Sequence, residues 1–390
     1  MRRNVSFTGV LCAALCLFAN SCRSSGNLDS TTAVPDVAPL WQTDLRGDAT
    51  GLAAPLILSG RAIVGAGRSL SGLDPATGAQ RWTIPVPFGL PYAGLVGLDS
   101  TTAALVTGDG FIVFNPRSGA VSHQWTEPQP RNRPIQATPQ VLSDERIVYA
   151  SRSRDLLALN TKTGQLDTLV RLPGDSARAS YVTSLSIWND TIYAPVSSYA
   201  ARGARYRNIV PYRIDATTRH LDSLKSDPSD SASLTTWMLI SERLLISATD
   251  YEEASWIAFD RQTGERRWQV LATRGSLGPS SQVAVVGDTM FAGGNDGTAY
   301  VIHMPTGRLL RTMPIPKAVV NGVVACGSNV IINALGATTI YARDGTQRRG
   351  LRGIPEGRTG FLGFFGSGEG IAVIGNGFGE WTAFACPPPS

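Results

Sequence analysis

The sequence predicts an all-β fold, an eight-bladed β-propeller of four-stranded antiparallel blades. Three observations carry this. A strand–turn–strand unit, clearest in "LDPATGAQRW" (73–82), returns along the chain. It returns at the period of one blade, and the two chain ends hold complementary parts of one further unit. Composition agrees: 41 Gly and 24 Pro in 390 residues, with 43% hydrophobic and 17% charged residues, fit short strands joined by turns around a core.

The copies follow in order as "FNPRSGAVSHQW" (114–125), "LNTKTGQLDTL" (159–169), "IDATTRHLDSL" (214–224), "FDRQTGERRW" (259–268) and "IHMPTGRLLRT" (302–312). A degenerate seventh is "YARDGTQRRGL" (341–351). The apolar residue before the turn falls at 73, 114, 159, 214, 259, 302 and 341. That residue closes a strand, and Asp74, Asn115, Asn160 or Asp260 beside it can hydrogen-bond its own turn. Gly78, Gly119, Gly164 and Gly264 then supply positive φ. The next strand reaches Trp82, Trp125 or Trp268, side chains suited to packing between neighbouring sheets. In the fourth copy Thr218 stands in for the glycine, and in the seventh Arg343-Asp344-Gly345 replaces the turn. Shorter hairpins with alternating apolar residues precede several turns, at 56–67, 141–151 and 283–302. Each blade is thus strand, turn, strand, turn, strand, Asp-x-x-Thr-Gly turn, strand.

The termini decide the blade count. "GEWTAFAC" (379–386) is an eighth third strand with no successor, and "PLWQTDL" (39–45) is an outer strand, with Trp41, that lacks the earlier three. Joined, they complete an eighth blade and leave no open edge. The propeller is expected over 40–386, with seven blades as the alternative.

Residues 1–21 read as a signal peptide: Arg2 and Arg3, an apolar run at 5–18 too short for a membrane span, then "ANSC". Cys22 is the expected lipidation site of a bacterial lipobox, although Ala19 and Asn20 depart from its usual residues. A conventional signal and a soluble periplasmic protein is the alternative. Residues 22–39 are polar and proline-bearing, a flexible tether, and 387–390 form a tail. Removing 1–21 takes away two arginines and no acid, so 33 Lys and Arg face 30 Asp and Glu, a net charge of +3. So small an excess gives no basic stripe for nucleic acid. Cys12 and Cys16 fall in the signal, leaving Cys326 and Cys386, which an oxidising compartment would pair as a disulfide; two buried thiols are the alternative.

The Asp-x-x-Thr-Gly turn with its tryptophan resembles the pyrroloquinoline-quinone (PQQ) type of propeller repeat, over 40–386 and most strongly at 73–82 and 259–268. No WD dipeptide recurs at blade ends. With its length and anchor, the chain resembles the propeller lipoproteins of the outer-membrane β-barrel assembly machinery. That resemblance implies a monomeric, non-catalytic scaffold on the periplasmic face of the outer membrane, with a protein partner in barrel assembly. Arg23 after Cys22, where an inner-membrane retention signal carries Asp, points the same way.

Catalytic signatures are thin. Quinoprotein enzymes often carry adjacent cysteines or a Cys-x-x-Cys-His haem site, and neither occurs here. His123, His220 and His303 lie in or beside repeat turns and suggest no metal site. Asp250, Glu252 and Glu253 surround Tyr251 at a hairpin tip, a solvated loop. The glycine-rich stretches 65–73 and 294–300 lack a following Lys-Ser/Thr helix. No cofactor is expected. The informative departure is the long fourth blade, whose extra length is "SSYAARGARYRNIVPY" (197–212). Arg202, Arg205, Tyr206 and Arg207 there are the candidate partner-binding residues, against the plainer reading of an elongated, solvated hairpin. "RRGLRG" (348–353) is a weaker candidate. Two other functions stay open: a small-molecule or glycan-binding propeller using its central funnel, and a degenerate quinoprotein enzyme.

Overall fold

The computed structural model describes residues 37–45, 54–88, 94–127, 137–143, 145–150, 154–173, 180–182, 184–198, 208–224, 233–250, 255–272, 279–294, 297–314, 320–327, 329–334, 337–342, 347–351, 364–375 and 379–386. Among them are 33 strands and no helix, arranged as eight antiparallel sheets. Blades 1 to 8 span 56–85, 94–126, 140–171, 180–223, 233–271, 279–314, 320–350 and 364–385, the last completed by Trp41–Asp44. Cys22, the expected signal peptide and the 387–390 tail lie outside the described residues.

Strand order within a blade follows chain order outward from the centre. The innermost strands touch in an unbroken circuit: Leu56–Leu58, Gly94–Gly97, Gln140–Ser143, Ser186–Trp188, Ser233–Ile240, Pro279–Val286, Val320–Cys326, Phe364–Gly368 and back to Leu56–Leu58. The circuit closes through the termini. Trp41–Asp44 runs antiparallel to Glu380–Ala385, in the register Trp41↔Ala383 to Asp44↔Glu380. Eight blades, rather than seven, complete the ring.

Burial explains the sequence pattern. Second and third strands are covered on both faces by neighbouring blades, so they read as continuous apolar runs. Ala103–Thr107 and Gly110–Phe114 are buried at every residue. The outer strand Gln80–Pro85 has only one buried residue, and half of its residues are polar. The core is correspondingly divided into eight apolar clusters, each bridging two adjacent blades. Blade-to-blade seams, not sheet interiors, therefore hold most of the hydrophobic free energy, at about 1.5–3 kcal/mol per buried Val, Leu, Ile or Phe.

Cys326, at the end of an inner strand of blade 7, is joined to Cys386, just past the third strand of blade 8, with Cα atoms 5.1 Å apart. The bridge lies in the apolar cluster of the 7/8 seam with Ile331, Ile340 and Phe384. Val37 adds an isolated bridge to Leu351 of blade 7.

Candidate functional site

The repeated turn is a hydrogen-bonded device. Asp74 Oδ1 accepts from the amides of Ala76 (3.0 Å) and Thr77 (3.1 Å), and Gly78 N donates to the Asp74 carbonyl (2.8 Å). Asn115, Asn160 and Asp260 repeat the double acceptance at 2.9–3.0 Å. Four residues along, Gly78, Gly119, Gly164, Gly264 and Gly307 have φ of 68–77°, a region where a Cβ is unfavourable. At Asp74 and Asp260 a nearby arginine holds the carboxylate. Arg81 sits 2.8 Å from Asp74 and Arg267 2.7 Å from Asp260, and each guanidinium lowers its carboxyl to a pKa of about 2.

These glycines have a second reason to lack a side chain. A Cβ on Gly119 would meet the Trp82 ring at 2.8 Å, one on Gly78 the Trp41 ring at 2.7 Å, and one on Gly307 the Trp268 ring at 2.5 Å. In each case the indole belongs to the preceding blade. Its Nε1–H donates to a carbonyl in the receiving turn: Trp41 to Pro75 (2.8 Å), Trp82 to Pro116 (3.1 Å) and Trp268 to Met304 (3.0 Å). The motif is therefore half of a lock between blades. Trp41 makes the same lock, so the strand that closes blade 8 also fastens blade 1.

Two expectations need correction. Trp125 does not pack between sheets. It is 44% exposed and stacks on Phe111 of its own blade, with ring centroids 6.3 Å apart. His123 takes the lock position instead: Nε2 lies 2.7 Å from the Lys162 carbonyl, which can only accept, and the ring lies 2.9 Å from a Cβ on Gly164. The spacing could have revealed this, since His123 follows Gly119 by the interval that separates Trp82 from Gly78. In blade 4, Thr218 keeps the threonine role, accepting from His220 N at 3.3 Å. The glycine position is held by Arg219, at φ 60°, whose amide donates to the Asp215 carbonyl.

Blade 4 departs from the others throughout. Its inner strand is divided into Ser180–Val182 and Ser186–Trp188, both paired with Thr191–Ser198. Thr191–Ser198 and Asn208–Asp215, eight residues each, form its central hairpin, paired out to Ser198↔Asn208. By strand direction this hairpin turns on the face opposite the Asp turns. Its tip, with Arg202, Arg205, Tyr206 and Arg207, lies outside the described residues, as do Arg343 to Gly345 and Glu252 and Glu253.

Both seams of blade 4 use arginine where the 1/2 and 5/6 seams use an indole. At the 3/4 seam Arg219 Nη1 donates to the Thr168 carbonyl (3.4 Å). At the 4/5 seam Arg213 Nη1 donates to the Gln262 carbonyl (3.3 Å), while its Nη2 is held by Asp222 at 2.9 Å. Arg261 returns the contact from blade 5. It donates to the Tyr193 hydroxyl (3.4 Å) and lies 5.0 Å from the Trp188 ring centroid. Sequence reading gave no hint of Arg213 or Arg261, because each matters through a partner about 50 or more residues away.

Two clefts open on the turn face at equivalent places, where Ala216 N and Met304 N donate to the carbonyls of Asp190 and Asp288 (2.8 Å each). The 3/4 cleft, about 270 Å³, has apolar Leu142 and Leu169 with Arg146, Arg219 and Asp190. The 5/6 cleft, about 880 Å³, sets Trp268 and Met304 beside Glu242, Arg243 and Asp288. These groups offer apolar surface and mixed charge for binding. Among the described residues no group of three or more His, Cys, Asp or Glu is placed to hold a metal.

The ring and its locked turns define a PQQ-type β-propeller. The family model described as outer membrane protein assembly factor BamB matches residues 32–197 and 224–360, and the chain belongs to that family. The residues between the two matched stretches, 198–223, cover the end of the blade 4 hairpin and its arginine turn. No curated protein matches the sequence. Among solved structures, the computationally designed Ika8 protein is 16% identical with a TM-score of 0.66, covering 90% of this chain and 99% of that one. BamB from Moraxella catarrhalis is 19% identical with a TM-score of 0.51, covering 76% and 80%. The C-terminal WD40 domain of Sif2 is 11% identical with a TM-score of 0.65, covering 91% and 100%. At these identities the likeness is one of fold.

Proposed function

We propose that this protein is a non-catalytic scaffold for outer-membrane β-barrel protein assembly, lipid-anchored through Cys22 at the periplasmic face of the outer membrane. The observation that carries the reading is the match to the BamB family on both sides of the blade 4 hairpin, around most of the ring. Physics supports it. A ring locked at its seams presents loops at little entropic cost, and a lipid tether raises the local concentration of those loops near a membrane-embedded partner. Catalysis is not needed for such a task.

Within this reading Arg202, Arg205, Tyr206 and Arg207 contact the partner, because they fall in the stretch between the two matched parts of the chain, 198–223. Cross-linking from membranes followed by pull-down tests the function: subunits of the barrel-assembly machinery are expected, and their absence overturns it. The triple variant Arg202→Ala, Arg205→Ala, Arg207→Ala should lower recovery at least about tenfold, as loss of hot-spot arginines does, without changing the thermal midpoint. Unchanged recovery removes the hairpin from the interface.

A further inference from the structure

Positive charge is gathered in one part of the ring. From Arg308 to Gly353 the chain carries seven Lys or Arg and a single acid, Asp344. The rest of the chain beyond residue 21 has 26 Lys or Arg against 29 Asp or Glu, so the net positive charge comes from this stretch. Outer strands hold four of the seven. Arg308–Pro314 of blade 6 carries Arg308 and Arg311, and Gln347–Gly350 of blade 7 carries Arg348 and Arg349, with no acid in either. Other outer strands differ. That of blade 2 has no Asp, Glu, Lys or Arg, and those of blades 4 and 8 carry only Asp222 and Asp44. In blades 1, 3 and 5, Arg81, Arg171 and Arg267 are paired with Asp74, Asp155 and Asp260, and Arg266 follows Glu265.

Between the two arginines of blade 6 stand Leu309 and Leu310, both 43% exposed. Adjacent strand residues ordinarily face opposite ways. Here the register passes from Val301↔Arg311 to Ile302↔Leu309, so Leu310 is an extra, bulged residue and the two leucines are exposed together. In blades 1 and 5 the bulged residue is Arg81 or Arg267, which reaches back to the Asp of its own turn. Blade 6 has His303 in place of that Asp and Leu310 in place of that arginine, so an ion pair gives way to an exposed leucine. Leu271, at the end of the blade 5 outer strand, adds a third leucine on the flank, 61% exposed.

The chain enters the ring on the same side. Val37 bridges Leu351, the residue after the blade 7 outer strand, and Trp41–Asp44 is the outer strand of blade 8. Fifteen residues separate Cys22 from Val37, a length of chain that reaches at most about 50 Å. We propose that the rim of blades 6 and 7 docks on an anionic lipid surface. Arg308, Arg311, Arg348 and Arg349 meet headgroup phosphates, while Leu309 and Leu310 enter the apolar boundary. Each arginine near a negatively charged bilayer strengthens binding about fivefold, and a basic patch makes firm an anchorage that one acyl chain leaves marginal. Blade 2, across the ring, also exposes Val121 and Trp125, but its strand carries no arginine or lysine and Trp125 is stacked on Phe111. A ring docked by its rim stands on edge and leaves both faces open to a partner. The placement of the tether rests on the anchoring proposed above, whereas the charge and the leucines do not.

Co-sedimentation with lipid vesicles tests it, using the chain from residue 22 onward with Cys22→Ser so that no acyl group contributes. Binding to vesicles of about 30% phosphatidylglycerol in phosphatidylcholine is expected, at least about tenfold weaker on phosphatidylcholine alone and lost at about 0.5 M salt. The double variant Arg308→Ala, Arg311→Ala should bind the anionic vesicles at least about tenfold more weakly. Leu309→Ser with Leu310→Ser should weaken binding by about fivefold or more, and both variants should keep the thermal midpoint. Trp125→Ser, across the ring, should bind like the unaltered chain. Equal binding to the two kinds of vesicle overturns the proposal, as does equal weakening by Trp125→Ser. An arginine variant that keeps vesicle binding but loses cross-links to a membrane protein also overturns it, and assigns the rim to an acidic protein surface. None of these readouts uses recovery of barrel-assembly subunits, so failure here is distinct from failure of the assembly reading.

Discussion

The seams between blades 1 and 2 and between blades 4 and 5 solve one problem with different chemistry. In the first, Trp82 lies on Gly119, donates to the Pro116 carbonyl and packs edge-on to Phe114 (5.7 Å). In the second, Arg213 and Arg261 cross to a carbonyl, a hydroxyl and an indole face. The repeat motif is thus a contract between neighbours at four seams, where the turn glycines Gly78, Gly119, Gly164 and Gly307 each receive an aromatic ring from the previous blade. Where blade 3 delivers only Thr168, blade 4 carries Arg219 in the same left-handed turn position.

The largest expected effect is at the locked seams. Trp41→Ala removes a 7% exposed indole and its hydrogen bond from the ring closure, and should cost about 3–5 kcal/mol by denaturant unfolding. A loss under about 1 kcal/mol would mean that the lock is not what closes the ring. Replacing Cys326 and Cys386 together by Ser should follow, at up to about 4 kcal/mol in the chain-entropy model, read from the same midpoint. Then comes the sharpest form of the comparison. Gly119→Ala forces a Cβ to within 2.8 Å of the Trp82 ring in a left-handed turn, and should destabilise by about 2–3 kcal/mol. Arg219→Gly, at the equivalent turn, should change stability by no more than about 1 kcal/mol, because relief of backbone strain offsets a weak contact. Equal effects at the two sites would break the contract argument.

The smallest effect concerns acid. Asp74 and Asp260 titrate near 2 in the folded protein against an ordinary 3.8, chiefly through Arg81 and Arg267. Because the folded value is the lower one, their contribution is present above 3.8 and disappears as pH falls through about 2. Asp74→Asn keeps the turn acceptor, as Asn115 shows, but loses the arginine partner. Its acid unfolding should be shallower between pH 4 and 2 than that of the unaltered protein, by circular dichroism. An identical acid profile would remove the arginine pair from the account.

How far the sequence could be read follows from the range of each interaction. The turn is local: Asp74, Thr77 and Gly78 interact within five residues, so the repeat, its period and the eight blades were visible. The closing strand was visible too, because Trp41 stands in a recognisable outer-strand fragment. Seam chemistry was hidden, since Arg213 meets Gln262, and Arg261 meets Tyr193, across a blade boundary. Trp125 misled because tryptophan at the end of an outer strand looks like the lock, while the register places His123 there. The long hairpin was legible as extra length.

One measurement tests most directly the claim that function lies where the repeat is broken. Residues 199–207 would be replaced by an Asn-Gly turn, which closes the paired Thr191–Ser198 and Asn208–Asp215 strands at Ser198↔Asn208. Recovery of cross-linked barrel-assembly subunits from membranes would then be compared with that of the unaltered chain and of Arg219→Gly. The account predicts a folded propeller that loses its partner when the hairpin is shortened and keeps it when the turn is restored to glycine. Full recovery by the shortened chain would contradict it.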